Sequence, residues 1–382
     1  MSAGAPLTVL HVSEVTWGGV VTLVDHFTTE QVRAGHRVHL LTPDAYPTEV
    51  PGVARHRWQV RRNRPNGYPA AVRELRRVVD EVRPDVLHLH SFVAGQLGRW
   101  PRALRGLDIP VVYQAHAWSD RLFSRAAAAA AVRLAERAAA RRTDRLVTNC
   151  QAELDRGHEI GVRVPGDVLS VAVDLDHLRP PTDEDRRKAR ASLGIGDDEF
   201  AALVLGRIAF QKGQDLLVPA WETRRPDGMV LYLVGPGEVA DLAAAAPTTW
   251  GRSIRFMGGT DDVRPWLWAV DALVLSSRYE TVALVVAEAM ACRVPVVATD
   301  VDGPAEVLLE GEEPPAGTVV PVDRPDLLIE AAVRLQQDPQ LAQAHGTAGV
   351  RRAQTRFAPG LVAQRLETAY RTAIADRERK PR

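Results

Sequence analysis

Short apolar runs alternate with longer stretches of helical periodicity along nearly the whole chain. Leu7 to Val12 reads as a first buried strand, and a helix with Leu23, Val24 and Phe27 on one face then runs to about Ala34, where Gly35 supplies a stop. Val38 to Leu41 is the next strand. Pro43 to Pro65 is polar and proline-bearing, and reads as loop. Val72, Leu75, Val78, Val79 and Val82 repeat at helical spacing, and Asp85 to His90, Pro110 to Tyr113 and Arg145 to Thr148 are three further strands. Strands alternating with helices predict a parallel, doubly wound sheet.

The same rhythm then restarts. Leu178 to Asp183 reads as a linker, followed by a charged helix from Asp185 to Leu193. Strands are predicted at Phe200 to Leu205, Met229 to Val234, Ser253 to Phe256, Ala272 to Leu275 and Pro295 to Ala298. Helices over Pro325 to Gln337 and Leu341 to Phe357 close this half, and Pro359 breaks the chain before a last amphipathic helix carrying Leu361, Leu366, Tyr370 and Ile374. The expected division is therefore residues 1–180 as one α/β domain, with 360–382 returning to it, and 181–359 as another. Two such halves place a central cleft between two sets of strand ends, where small-molecule sites concentrate.

Composition narrows the function. The chain has 382 residues, with Lys+Arg and Asp+Glu both 48 and a formal net charge of zero, so nothing global recruits a nucleic acid. Cys150 and Cys292 are the only cysteines and lack metal-type spacing, which suits a reducing cytoplasm. Met1 to Pro6 has no basic start, and no stretch is long enough to span a bilayer. Arg133, Arg137 and Arg141 form a stripe on an Ala-rich helix from Ser124 to Arg142; a solvated face is the simpler reading, and peripheral contact with the inner membrane face the other.

The candidate chemistry lies after two strands of the second half. Gly206 to Gly213 follows the first of them and holds Arg207 and Lys212, one of only three lysines; two cations beside backbone N–H groups at a helix start suit a diphosphate. Ala272 to Leu275 leads into Ser276 to Met290, which places Glu280 at a strand's carboxyl end and Glu288 about two turns into the next helix. An acidic first turn that complements the helix dipole explains Glu280, but Glu288 among Val285, Val286 and Ala289 needs a hydrogen-bonding partner.

With these residues in place, the chain resembles a retaining glycosyltransferase of the GT-B fold, in the large family GT4. The resemblance runs nearly end to end. It covers Gly18-Gly19, Asp85 to His90, Val173 to Asp176, Gly206-Arg207 with Gln211 to Gly213, Leu233 to Gly235, Gly259 with Asp261 to Val263, Glu280 with Glu288, and Pro295 to Asp300. It implies two Rossmann-like domains and a nucleoside diphosphate sugar as donor, UDP by prevalence, with no metal or other cofactor. By resemblance Arg207 and Lys212 hold the diphosphate, Glu288 the ribose, and Glu280 the sugar. Val263 and the run Thr281, Val282, Ala283 and Leu284 line the donor site, while Gly18 and Gly19 let backbone N–H groups approach. His116 resembles a histidine that faces the sugar, with loop structure as the alternative.

One departure stands out. Thr281-Val282-Ala283 replaces a usual Gly-Phe-Gly, which implies a reshaped sugar pocket or a catalytically silent protein. Three other patterns point elsewhere. Gly235 to Ala240 spells a dinucleotide fingerprint, the alternative being an NAD(P)-dependent oxidoreductase. Asp174-Leu175-Asp176 and Asp300-Val301-Asp302 look like metal-binding Asp pairs but read as loop aspartates. His88 and His90 could suggest a metal, yet no third ligand stands at matching spacing.

Overall fold

The computed structural model describes residues 5–61, 64–122, 125–309, 311 and 314–379. The chain divides into two compact units, Met1–Ala172 with Pro359–Arg382, and Val173–Ala358.

The first unit contains β1 (Thr8–Ser13), β2 (Arg37–Thr42), β3 (Ala54–Arg57), β4 (Val86–His90), β5 (Val111–Gln114), β6 (Arg145–Thr148) and β7 (Gly166–Val168). They form one sheet in the order β3-β2-β1-β4-β5-β6-β7, and every pairing is parallel. Each residue of β1 and of β4 is buried, as expected for central strands covered by helices on both faces. On one face Val362, Leu366, Ala369 and Tyr370 of the final helix, Pro359–Glu378, pack with Leu7, Val9, Phe27, Val86 and Val112. Pro359 is the first residue of that helix, where a missing N–H costs nothing.

The second unit contains β8 (Phe200–Leu205), β9 (Met229–Val234), β10 (Ile254–Gly258), β11 (Ala272–Leu275), β12 (Val296–Thr299) and β13 (Gly317–Val320). Their order is β10-β9-β8-β11-β12-β13, again wholly parallel. Its first helix, Asp183–Leu193, is set by a reciprocal capping box between Thr182 and Asp185 and ends at Gly194 with φ 68°. Residues 173–180 belong to this unit. The Val173 N–H donates to Phe357 O at 2.9 Å, and the Trp268 indole donates to Arg179 O at 2.9 Å while its ring lies under the Arg179 guanidinium.

Three strands were not expected: β3, β7 and β13. All three are sheet edges, and none has the continuous apolar run of a central strand; β3 reads Ala-Arg-His-Arg. The stretch from Pro43 to Pro65 is thus not all loop, because β2 supplies a pairing partner at Leu40↔Arg55 that local composition cannot announce. Both units are doubly wound, Rossmann-like α/β domains. Among the described residues no helix is long and apolar enough to cross a membrane.

Candidate active site

In an open parallel sheet, ligands bind where the strand order reverses, outside the carboxyl ends of the two strands that flank that point. In the second unit those strands are β8 and β11. The loops leaving them are Gly206 to Gly213 and Ser276 to Ala283, the two stretches whose residue types suggested chemistry.

Backbone contacts stitch these loops together. The Arg278 N–H donates to Gln211 O at 2.8 Å, Gln211 Nε2 donates to Tyr279 O at 3.2 Å, and Ser276 Oγ donates to Lys212 O at 2.7 Å. Gly213 has φ 69°, and a Cβ there would lie 2.0 Å from Ser276 O, so only glycine permits the approach. The outcome is that Lys212 Nζ meets Glu280 Oε1 at 2.6 Å, with Ser277 Oγ donating to the same oxygen at 2.8 Å. Both side chains are mostly shielded, with 18% and 8% of their surfaces exposed, which strengthens the pair relative to one in open water. Arg207 stands exposed on the same loop, and its charge acts on Tyr279 of the other. Gln214 Nε2 holds the Arg207 carbonyl at 2.8 Å.

Thr281, Val282 and Ala283 carry the chain into the helix Leu284–Ala291. Ala283 takes φ 57°, a conformation glycine would adopt without strain, at the position where the resembling family has the second glycine of Gly-Phe-Gly. The start of the helix Asp302–Leu309 clamps the loop from behind: a Cβ on Gly303 would stand 1.7 Å from Thr281 O. Val263 precedes the short helix Arg264–Ala269 beyond β10, in a turn held by Asp262 Oδ1, which accepts from the Arg264 N–H at 2.9 Å.

Glu288 sits within the helix Leu284–Ala291, half-buried between Ala287 and Ala289, and burial pushes its carboxyl up to about 7 from 4.5. The sign is that of an acid with a raised folded-state pKa: the stability it contributes is full below about pH 4.5 and is lost as pH rises through about 7. Glu288→Gln is therefore expected to flatten the pH dependence of stability in that window. It should stabilise the unliganded protein at alkaline pH by about 1–2 kcal/mol, the partly exposed side chain having been discounted for screening. Urea midpoints for parent and variant across pH 5–8 check this; parallel curves would contradict it.

The misleading motifs find structural explanations. Gly235 and Gly237 are needed because their α-carbons face the chain itself: added Cβ atoms would lie 2.0 Å from Gly206 O and 2.6 Å from Ile208 Cβ. The dinucleotide fingerprint is thus a packing contact between the loops that follow β8 and β9. Asp174 Oδ1 accepts from the Asp176 and His177 N–H groups at 3.1 Å each, a turn and not a ligand pair.

In the first unit the order reverses between β1 and β4. Gly18, with φ 79° and open space around its α-carbon, caps the helix Gly19–Arg33 that follows β1. His116 follows β5 with φ 59°; its Nε2 lies 3.0 Å from His90 Nδ1, and burial pushes the ring down to about 3, so it is neutral. The third histidine that spacing failed to supply is His11 on β1, the register partner of His88 on β4. Its only sequence signal is a histidine inside an apolar strand. Arg137 of the arginine stripe donates through Nε to Ile160 O at 2.5 Å and Arg133 through Nη1 to Asp120 Oδ2 at 3.4 Å, so two of its three members are held by the protein itself. Ser124, where that helix was expected to begin, lies outside the described residues; the helix spans Ala126–Ala140.

Comparison with known proteins agrees in both halves. Residues 18–172 match the glycosyl transferase 4-like domain, and residues 199–338 match the family described as glycosyl transferases group 1. The chain is 30% identical over 318 residues to D-inositol 3-phosphate glycosyltransferase 2 of Catenulispora acidiphila, covering 76% of this chain and 71% of that protein. It is 31% identical over 224 residues to the lipopolysaccharide core biosynthesis mannosyltransferase LpcC of Rhizobium leguminosarum, covering 56% and 62%. Among solved structures, sucrose-phosphate synthase of Thermosynechococcus elongatus superposes with a TM-score of 0.85 at 21% identity, over 97% of this chain and 100% of that one. HepE of Anabaena, in complex with UDP and glucose, superposes with a TM-score of 0.80 at 20% identity, over 95% and 98%.

Proposed function

The chain belongs to the group 1 glycosyltransferases, with the Rossmann-like domains of the GT-B fold, and we propose that it is a retaining, metal-independent hexosyltransferase. Its donor is a nucleoside diphosphate sugar, UDP-linked by default, and its acceptor a hydroxyl of a glycan, lipid or secondary metabolite. The observation that carries the reading is the Lys212–Glu280 pair at the switch point of the second sheet.

The pair supplies what departure of a nucleoside diphosphate requires. Negative charge grows on the leaving phosphate oxygen, and Lys212 with Arg207 and nearby backbone N–H groups stabilises it, the task a metal performs elsewhere. Positive charge grows on the donor sugar, and Glu280 tempers it. Glu280 Oε1 is engaged by both Lys212 and Ser277, which suits an electrostatic group better than an attacking nucleophile. The leaving phosphate oxygen then accepts the acceptor's proton on the face it vacates, and the configuration at the anomeric carbon is retained. Glu288 accepts from ribose hydroxyls, which supply the partners its carboxylate lacks. His116, neutral, offers a hydrogen bond to a sugar hydroxyl, and Gly18-Gly19 leaves backbone N–H groups approachable.

UDP complexed with HepE and the inositol phosphate acceptors named for relatives support, respectively, the donor base and a polyol hydroxyl as acceptor. The test is a thermal melt against UDP, GDP, dTDP, ADP and NAD⁺, followed by transfer assays with the sugars of the nucleotide that binds. A ligand at one hundred times its Kd is expected to add about 2.7 kcal/mol. Stabilisation by NAD⁺ alone would overturn the reading. Nucleoside diphosphate binding without turnover of any sugar would leave a silent protein, and an inverted product anomer by NMR would remove retention.

A further inference from the structure

We propose that His11, His88 and His90 form a binding site for a late first-row divalent cation such as Zn²⁺ inside the first unit. His88 and His90 alternate along β4 and so share a face, and His11 joins that face because β1 pairs with β4 in the register His11↔His88. All three rings are completely buried, and each offers a ligand nitrogen within 4.8 Å of the others.

The hydrogen bonds separate inward from outward nitrogens. Outward, His11 Nε2 lies 2.8 Å from Gln31 Oε1, His88 Nδ1 2.7 Å from the Tyr370 hydroxyl, and His90 Nδ1 3.0 Å from His116 Nε2. Inward, His11 Nδ1 and His90 Nε2 stand 2.9 Å apart, so one proton serves two nitrogens, and His88 Nε2 has no hydrogen-bond partner among the described residues. An unpartnered ring nitrogen in a sealed interior is costly. A cation bound by the three inward nitrogens satisfies them together, with His90 protonated on Nδ1, His116 carrying its proton on Nδ1 so that its Nε2 accepts from His90, and His88 protonated on Nδ1 toward the Tyr370 oxygen. Metal-bound histidines commonly have their second nitrogen held by a carboxylate, a backbone carbonyl or water; here a side-chain amide, a hydroxyl and another ring stand in those places. Imidazole-only ligation selects zinc, nickel, cobalt or copper over magnesium and calcium.

A cavity of about 250 Å³ between the helices Gly19–Arg33 and Pro359–Glu378 is lined by Gln31 and Tyr370, the outer partners of His11 and His88. Glu30 and Glu367 line the same cavity, where Glu30 pairs with Arg33 and Glu367 with Arg371 and His36. Through Tyr370 the site joins the final helix to the two central strands.

The experiment uses the full chain with His39→Ala and His56→Ala, because that second histidine pair, 3.0 Å apart, offers zinc a competing site. After treatment with chelator, reloading with ZnCl₂ and gel filtration, one zinc per chain is expected by mass spectrometry. X-ray absorption at the zinc edge should show nitrogen at about 2.0–2.1 Å with outer-shell scattering from imidazole rings. Adding His88→Gln should weaken zinc binding by about 100-fold or more, and Tyr370→Phe by about tenfold. No retained zinc, a sulfur ligand in the absorption spectrum, or unchanged affinity in His88→Gln overturns the proposal. If His88→Gln does not fold, the absorption spectrum of the parent decides alone.

Discussion

Lys212→Ala is expected to lower kcat/KM for sugar transfer by about 10²–10³-fold, the range seen when one preorganised group is taken from a developing oxyanion. The loss is expected to extend beyond donor affinity because of how Lys212 is held. Lys212 Nζ is held 2.6 Å from Glu280 Oε1 before any donor arrives, so the cation is already placed and reorganises little as the diphosphate departs. Glu280→Ala should cause a loss of similar size, because it removes the carboxylate proposed to face the sugar and releases Lys212 from its ion pair. The two residues act as one device, so the double variant should fall no more than about tenfold below the weaker single. Steady-state rates for parent, singles and double, with donor and acceptor varied separately, provide the check. Parent-like rates in either single would remove the pair from the transfer step, and fully multiplicative losses would show that the residues act independently.

Glu136→Ala is expected to destabilise the first unit by about 3–5 kcal/mol, the cost of leaving a buried charge without its partner. Arg99 and Glu136 meet at 2.8 Å with side-chain exposures of 0% and 1%. The guanidinium is further held by the Gly95 carbonyl and Thr143 Oγ1, and it lies 3.7 Å over the Tyr113 ring. Tyr113 donates its hydroxyl to the other oxygen of Glu136 at 3.2 Å, so one truncation strips partners from two buried side chains. Guanidinium titration with hydrogen-exchange mass spectrometry is the measurement. Protection should fall across β4, β5 and the helix Ala126–Ala140, with the second unit's sheet unchanged. A loss below about 1 kcal/mol would mean that water or a neighbouring acceptor reaches Arg99 in the variant.

Much of this protein is readable from its residues in order. Strands such as β8, β9 and β11 are continuous apolar runs because helices cover both faces of the sheet, and that burial leaves a mark on composition. The loops that follow β8 and β11 announce themselves by residue type: a rare lysine between glycines, and a carboxylate where an apolar strand ends. Edge strands leave no such mark. β3, β7 and β13 are strands because a neighbour offers a ladder, so their own residues say little.

What tertiary structure alone decided is which distant loops and side chains meet. Lys212 and Glu280 are 68 positions apart, and they meet because β8 pairs on one side with β11, three strands later in the chain, as well as with β9 on the other. His11 and His88 are separated further still and become neighbours through the register of β1 on β4. The fingerprint at Gly235 to Ala240 shows the reverse case, in which a local pattern that spells a ligand loop is consumed by a close approach of two loops of the same unit. Periodicity and residue type are properties of a short window and survive in the linear chain. Strand order and register are set by how whole buried faces fit against one another, and no short window contains them.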